Sequence, residues 1–256
     1  MIRVGVVGAA GRMGREVCRA VAADPDIELV AAVDPHGADS TVEGLAIHPS
    51  LDALVDAQAQ VAVDFTQPEV VMDSIRWATE HGVHYVVGTT GISPADLDEV
   101  RRLTERGHTN VIVAPNFAIG AVLMMRFAEL AALSMSAAEV IELHHDGKLD
   151  APSGTALGTA RAIAAARGDV SPAPGGDDDH PGARGADVDG VRVHSVRLPG
   201  LLAHQEVIFG APGQILSIRH DTTDRSAFMP GVLLAVKAVS SRPGLTVGLG
   251  ALLEDA

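Results

Sequence analysis

Three glycines at every third position, Gly8, Gly11 and Gly14, follow an apolar run from Ile2 to Val7 and open a segment with helical periodicity, Gly14 to Ala23. No other feature constrains the fold as tightly. A strand that turns sharply into a helix leaves backbone N–H groups pointing outward, with the positive end of the helix dipole behind them. Glycines there permit the tight turn, the approach of backbone to a phosphate, and close packing of helix on strand. Gly8-Ala9-Ala10-Gly11-Arg12-Met13 therefore reads as a pyrophosphate cradle. A plain turn, or a site for FAD or S-adenosylmethionine, would use the same pattern. The next apolar run, Ile27 to Val33, ends at Asp34, about 20 residues past the last glycine, where a carboxylate can accept from adenosine ribose hydroxyls. That favours a nicotinamide dinucleotide. Repulsion between Asp34 and a 2′-phosphate favours NADH over NADPH, with Arg12 softening the preference.

Apolar runs continue to alternate with helical patterns: Val61 to Phe65, Val83 to Val87 and Asn110 to Ala114 read as strands, and Thr66-Gln67-Pro68-Glu69 and Ser93-Pro94-Ala95-Asp96 as helix starts. Continuous apolar strands separated by helices imply a Rossmann-like, doubly wound parallel sheet covered on both faces. After Asn116 the rhythm changes. A helix from Ile119 to Met135, a strand from Glu139 to Leu143 and a helix from Thr155 to Arg167 lead to a Gly-, Pro- and Asp-rich stretch, Pro172 to Gly190, that reads as a long loop. Val191 to Arg197, Gln205 to Phe209 and Gln214 to His220 then read as an antiparallel meander, and Phe228 to Ser240 as a helix. The expected division is a dinucleotide-binding domain, 1–116, joined by the returning 227–256, and an α+β substrate-binding and oligomerisation domain, 117–226, with a mixed, mostly antiparallel sheet.

A formal net charge of −14 argues against nucleic acid and anionic lipid as partners. Arg126 and Glu129 interrupt the most apolar long stretch, so no membrane span is expected. The chain enters a strand directly after Met1-Ile2-Arg3, without a signal-peptide pattern, and has one cysteine, Cys18; a cytoplasmic protein is expected. The run Asp177-Asp178-Asp179-His180 reads as a solvated loop and no metal site is expected.

Where the strand Glu139 to Leu143 ends, the sequence continues His144-His145-Asp146-Gly147-Lys148-Leu149-Asp150-Ala151-Pro152-Ser153-Gly154-Thr155-Ala156. An acid that titrates near neutral pH, a fixed cation and a helix N-terminus are what is needed to hold and protonate a carboxylate-bearing substrate. Gly154 offers an unshielded N–H and Thr155 a hydroxyl. A solvated loop with a helix cap at Ser153 would look the same. Gly88-Thr89-Thr90-Gly91 ends a parallel strand, where doubly wound folds bind ligands.

The segment from His144 to Ala156 closely resembles the signature of the 4-hydroxy-tetrahydrodipicolinate reductase (dihydrodipicolinate reductase) family. Gly8-Ala-Ala-Gly-Arg-Met13, Asp64-Phe65-Thr66, Gly88-Thr89-Thr90-Gly91 and Ala114-Pro115-Asn116-Phe117 resemble other motifs of that family in the same order. The resemblance implies NAD(P)H-dependent reduction of a small cyclic dicarboxylate in lysine and diaminopimelate biosynthesis, by a homotetramer. By the same resemblance His144 matches the proton donor and Lys148 a second catalytic or substrate-anchoring group. His145, Gly154 and Thr155 match substrate contacts. Gly8, Ala9, Ala10, Gly11, Arg12, Met13, Asp34, Gly88, Thr89, Thr90, Ala114, Pro115, Asn116 and Phe117 match cofactor contacts. The residues by themselves leave open another two-domain dehydrogenase of a small amino or keto acid, or a dinucleotide sensor without turnover.

Overall fold

The apolar runs of the amino-terminal half are hydrophobic on both faces, which only a sheet covered on both sides tolerates. The computed structural model describes every residue except 39, 136, 169–179, 181 and 254–256. The chain divides into two compact units, Met1–Phe117 with Phe228–Ala256, and Ala118–Ala227.

In the first unit the order is β1 (Ile2–Val7), α1 (Arg12–Ala23), β2 (Ile27–Val33), β3 (Thr41–Val42), β4 (Leu45–His48), α2 (Asp52–Asp56), β5 (Val61–Asp64), α3 (Pro68–His81), β6 (His84–Val87), α4 (Pro94–Arg106) and β7 (Val111–Val113). The second unit holds α5 (Ile119–Ala132), β8 (Ala137–His144), α6 (Gly154–Arg167), β9 (Ala186–Val188), β10 (Val191–Arg197), β11 (Ala203–Ala211) and β12 (Gln214–Thr222). After a 3-10 turn (Arg225–Phe228) the chain rejoins the first unit as α7 (Met229–Val239), β13 (Leu245–Val247) and α8 (Gly250–Leu253).

The first sheet runs β13-β7-β6-β5-β1-β2-β4-β3, parallel except where β3 meets β4. β1 stands between β2 and β5, so successive crossovers leave it in opposite directions and open a crevice at its carboxyl end. Val4, Val6, Val17, Val21, Leu54 and Ile75 are fully buried, each worth ~1.5–3 kcal/mol of transfer free energy. Asn110 fastens the returning segment: its amide donates to the carbonyls of Val239 (3.0 Å) and Ser240 (3.1 Å) and accepts from the N–H of Gly244 (3.1 Å).

The second sheet runs β12-β11-β8-β10-β9. The three carboxy-terminal strands are not a meander. β11 and β12 form a hairpin, but β8 inserts between β10 and β11 and pairs parallel with β10. The reason is local: the segment between β10 and β11 is long enough to step over a strand, whereas the two residues between β11 and β12 force neighbours. The carboxyl end of the Pro172–Gly190 stretch is ordered as well, Ala186–Val188 pairing antiparallel with β10 around a turn at Asp189 and Gly190. Residues 172–179, which include the Asp177–Asp179 run, and residue 181 lie outside the described residues.

Two helix starts differ in kind. At the expected start of α4, Ser93 and Asp96 cap the helix reciprocally. At α3 the cap position is Gln67 with no side-chain cap bond, because Thr66 turns its N–H and hydroxyl onto Asp64 instead. Helix α1 starts at Arg12, two residues before Gly14, and α5 ends at Ala132 rather than Met135.

Candidate active site

The first unit gathers its motif residues at the carboxyl ends of the parallel strands. Gly8 adopts a left-handed φ of +80°, and a Cβ there would sit 2.6 Å from the carbonyl oxygen of Phe65. A Cβ on Gly14 would lie 2.0 Å from the Gly8 carbonyl oxygen, so only glycine lets α1 close on the loop. Gly11 caps α1 without a side-chain acceptor, and the first turn carries no acidic residue. This cradle has the shape and sign that a pyrophosphate requires. Buried Asp34 accepts from the Ala10 N–H (3.1 Å) and the His36 N–H (2.9 Å), bracing the glycine loop.

Beyond β5 and β6, a Cβ on Gly88 would strike the Phe65 ring at 2.2 Å, and Phe65 packs against Phe117 with ring centroids 5.7 Å apart. Ala114 is buried at the end of β7, and a Cβ on Gly231 of α7 would meet the Phe117 carbonyl oxygen at 2.1 Å, so the Ala114–Phe117 turn is closely backed. Thr89 does not point outward. Its hydroxyl donates to the buried Asp64 carboxylate (2.9 Å), which also accepts from Thr66 (2.6 Å) and Tyr85 (2.9 Å). Burial raises the pKa of Asp64 above the ordinary carboxylate range despite these bonds, disfavouring its charged form. The side chain of Thr89 therefore orders the loop from inside.

In the second unit β8 alternates Ala138, Val140 and Glu142 on its buried row and delivers His144 at its end. Glu142 is fully buried in the sheet. Arg197, at the end of neighbouring β10, grips it with a fork, Nη2 to Oε1 at 2.8 Å and Nη1 to Oε2 at 3.0 Å. The N–H of Ser153 reaches Oε1 at 3.3 Å, and Oε2 also takes Nδ1 of His144. Burial opposes the charge, yet the bonds from His144, Arg197 and Ser195 prevail and hold the Glu142 carboxyl at about 2.

Arg197 also receives the loop that follows. Its Nη2 donates to the Asp150 carbonyl at 2.6 Å and its Nε to the Lys148 carbonyl at 3.3 Å. Lys148 Nζ pairs with the Asp150 carboxylate at 2.6 and 2.9 Å. His145 is half-buried and Gly154 exposed at the first position of α6, which Ser153 caps through the Ala156 N–H at 3.2 Å. Thr155 is half-buried in the same turn. His144, His145, Lys148, Gly154 and Thr155 thus belong to one strand end, one loop and one helix start, ordered about Glu142 and Arg197.

Those two residues escape the sequence reading. The available signal was a carboxylate on the inward row of a strand, which demands a buried cation. The cation itself lies far along the chain, and only the sheet register brings Arg197 opposite His144. Among the described residues no three His, Cys, Asp or Glu side chains gather as a metal would need, and no helix is long and apolar enough to cross a membrane.

A doubly wound sheet with a dinucleotide cradle, accompanied by a unit that presents a carboxylate-held imidazole beside a helix start, defines a pyridine-nucleotide-dependent oxidoreductase. The dihydrodipicolinate reductase family matches in two parts, its N-terminus over residues 2–117 and its C-terminus over residues 120–253. A 4-hydroxy-tetrahydrodipicolinate reductase of Nocardia farcinica is 54% identical over 257 residues, covering 99% of each chain. Another from a Mycobacterium species (strain KMS) is 51% identical over 255 residues, again with 99% of each covered. The solved structure of a dipicolinate-bound dihydrodipicolinate reductase from Paenisporosarcina sp. TG-14 superposes with a TM-score of 0.87 at 40% identity, over 98% of this chain and 99% of that one. The chain belongs to the dihydrodipicolinate reductase family.

Proposed function

We propose that this chain reduces 4-hydroxy-tetrahydrodipicolinate to tetrahydrodipicolinate, with loss of water, in lysine and diaminopimelate biosynthesis, and that His144 delivers the proton. The observation that carries the assignment of His144 is its imidazole, fixed by Nδ1 to an ionised carboxylate at the mouth of a helix start. The bound nucleotide supplies the hydride. Gly8 to Met13 hold its pyrophosphate, Asp34 its ribose hydroxyls, and Gly88 to Thr90 with Ala114 to Phe117 the nicotinamide side.

Loss of water leaves a ring in which a carbon is conjugated to an imine. Reduction at that carbon creates an enamine-like anion, and transfer of one proton from His144 Nε2 to the ring completes the product. Lys148, His145 and the first turn of α6 at Gly154 and Thr155 hold the two carboxylates. Gly154 supports this placement. A Cβ there would meet nothing within 4 Å, and its backbone has an ordinary φ, so neither packing nor conformation asks for glycine. Close approach by a ligand does.

NADH is the preferred nucleotide, because the Asp34 carboxylate repels a 2′-phosphate and Pro35, not a basic residue, follows it. The enzyme works in the cytoplasm as a homotetramer. Support for self-association is β12, a nine-residue edge strand that exposes Ile215 and Leu216.

The test is oxidation of NADH with freshly synthesised 4-hydroxy-tetrahydrodipicolinate. His144→Gln lowers kcat by about a hundredfold or more with a smaller change in KM. Turnover of an amino or keto acid, but not of this substrate, would move the chain to a different dehydrogenase activity. A higher kcat/KM with NADPH would overturn the role of Asp34.

A further inference from the structure

An imidazole used as an acid must offer its proton from a known nitrogen. In most loops the two nitrogens are interchangeable, and half of the orientations are useless. Here the surroundings remove that freedom. Glu142 receives two donors from Arg197, one from the Ser153 backbone and one from His144. An ionised carboxylate accepts only, so the hydrogen in its bond to His144 must sit on Nδ1.

We propose that Glu142, clamped by Arg197, is a positioning residue that commits Nδ1 of His144 to the protein and leaves Nε2 as the atom that carries the transferred proton. The inference deepens the reading of His144 as proton donor and rests on it. Arg197 extends the device. The guanidinium that anchors Glu142 also holds the carbonyls of Lys148 and Asp150, so one side chain sets both the ring orientation and the path of the loop bearing the substrate-anchoring lysine.

The fork of Arg197 takes one acceptor site on each Glu142 oxygen; of the sites that remain, the Ser153 N–H takes one on Oε1 and His144 Nδ1 one on Oε2. That the imidazole shares Oε2 with Nη1 is what distinguishes a positioning role. The hydroxyl of Ser195, across from Glu142 on β10, adds a further bond to the same carboxylate.

The experiment is long-range 1H–15N NMR of the full-length protein labelled in histidine, with the His144 signals assigned by their loss in His144→Gln. In the neutral ring of the native protein the hydrogen is expected on Nδ1; a hydrogen on Nε2, or an even mixture, overturns the proposal without requiring any variant of Glu142 to fold. In Glu142→Gln the single-tautomer signature is lost and kcat falls by about a hundredfold or more, with KM for substrate changed by less than about threefold. Glu142→Asp, which keeps the anion on a shorter stem, recovers part of kcat. If Glu142→Gln keeps both tautomer and kcat while His144→Gln is inactive, Glu142 is a structural ion-pair partner and the acid role of His144 stands. If His144→Gln keeps its kcat, the acid role fails, while the tautomer still decides whether Glu142 orients the ring.

Discussion

The guanidinium of Arg197 meets the carboxylate of Glu142 edge to edge, at 2.8 and 3.0 Å, across the parallel pairing of β10 and β8. Glu142 is inside the sheet, and its charge survives there because donors converge on it from Arg197, His144, Ser153 and Ser195.

This pair gives the fold an acid-sensitive term. The folded-state ionisation of Glu142 lies at about 2, below its ordinary 4.5, so between those values the unfolded chain binds a proton that the folded chain does not. The stabilisation is complete above 4.5 and is lost as pH falls toward 2. Glu142→Gln should therefore unfold at lower urea at about pH 6, by about 3 kcal/mol, and lose less further stability than the native chain on moving to about pH 3.5. Equal acid losses in both proteins would place the sensitive group elsewhere.

Gly14 and Gly11 of the loop should separate by what each excludes. Gly14→Ala drives a Cβ to 2.0 Å from the Gly8 carbonyl oxygen, so it should destabilise the chain by about 1–3 kcal/mol and weaken NADH binding more than tenfold. At Gly11 the same Cβ would stand 3.2 Å from that oxygen, close but tolerable. Gly11→Ala should keep the melting temperature within a few degrees and still weaken NADH, since its cost falls on the approaching phosphate. Calorimetric titration with NADH, beside thermal unfolding, reads both. Unchanged affinity in both variants would remove the loop from the nucleotide site.

The parallel sheet is legible in the sequence because its determinants are local: an apolar run such as Val4 to Val7, a glycine turn, and a helix whose Val17, Cys18 and Val21 fall on one face. The His144–Thr155 segment is legible for the same reason, its residues being contiguous. What escapes is whatever depends on register. That β8 separates β10 from β11 cannot be read from any window of sequence, and with it goes the encounter of Arg197 and Glu142. Thr66 shows a subtler failure. Its spacing to Glu69 suits a cap, but a buried carboxylate at Asp64 outcompetes the helix for its hydroxyl.

Lys148 is occupied by Asp150, at 2.6 and 2.9 Å, and Asp150 is largely exposed. A substrate carboxylate bound by Lys148 must displace that partner. An exposed pair of this kind is worth about 0.2–1 kcal/mol, so Asp150→Asn should lower KM for the substrate by a factor of roughly 1.5 to 5 and leave kcat near native. Lys148→Ala should do the opposite, at a larger cost, because a substrate carboxylate loses its cation; a loss on the order of 2–5 kcal/mol in kcat/KM is expected if the bound pair is desolvated. Steady-state kinetics of the two variants test the exchange, and a raised KM in Asp150→Asn would mean that Asp150 orders Lys148 for binding rather than competing for it.

Gly154 offers the sharpest separation between folding and function. It occupies the first position of α6, is exposed, and has open space where a side chain would go. Alanine there gains helix propensity and limits the unfolded chain, so Gly154→Ala should leave stability unchanged or raise it by up to about 1 kcal/mol. The added methyl would nonetheless stand where a carboxylate reaches the helix start, and KM for the substrate should rise about tenfold or more while binding of NADH, held by the other unit, stays native. Thermal unfolding, NADH titration and substrate kinetics on the same preparation carry the argument. A variant that is more stable and equally efficient would show that the substrate is held away from the start of α6, and the placement of its carboxylate at Gly154 and Thr155 would have to be abandoned.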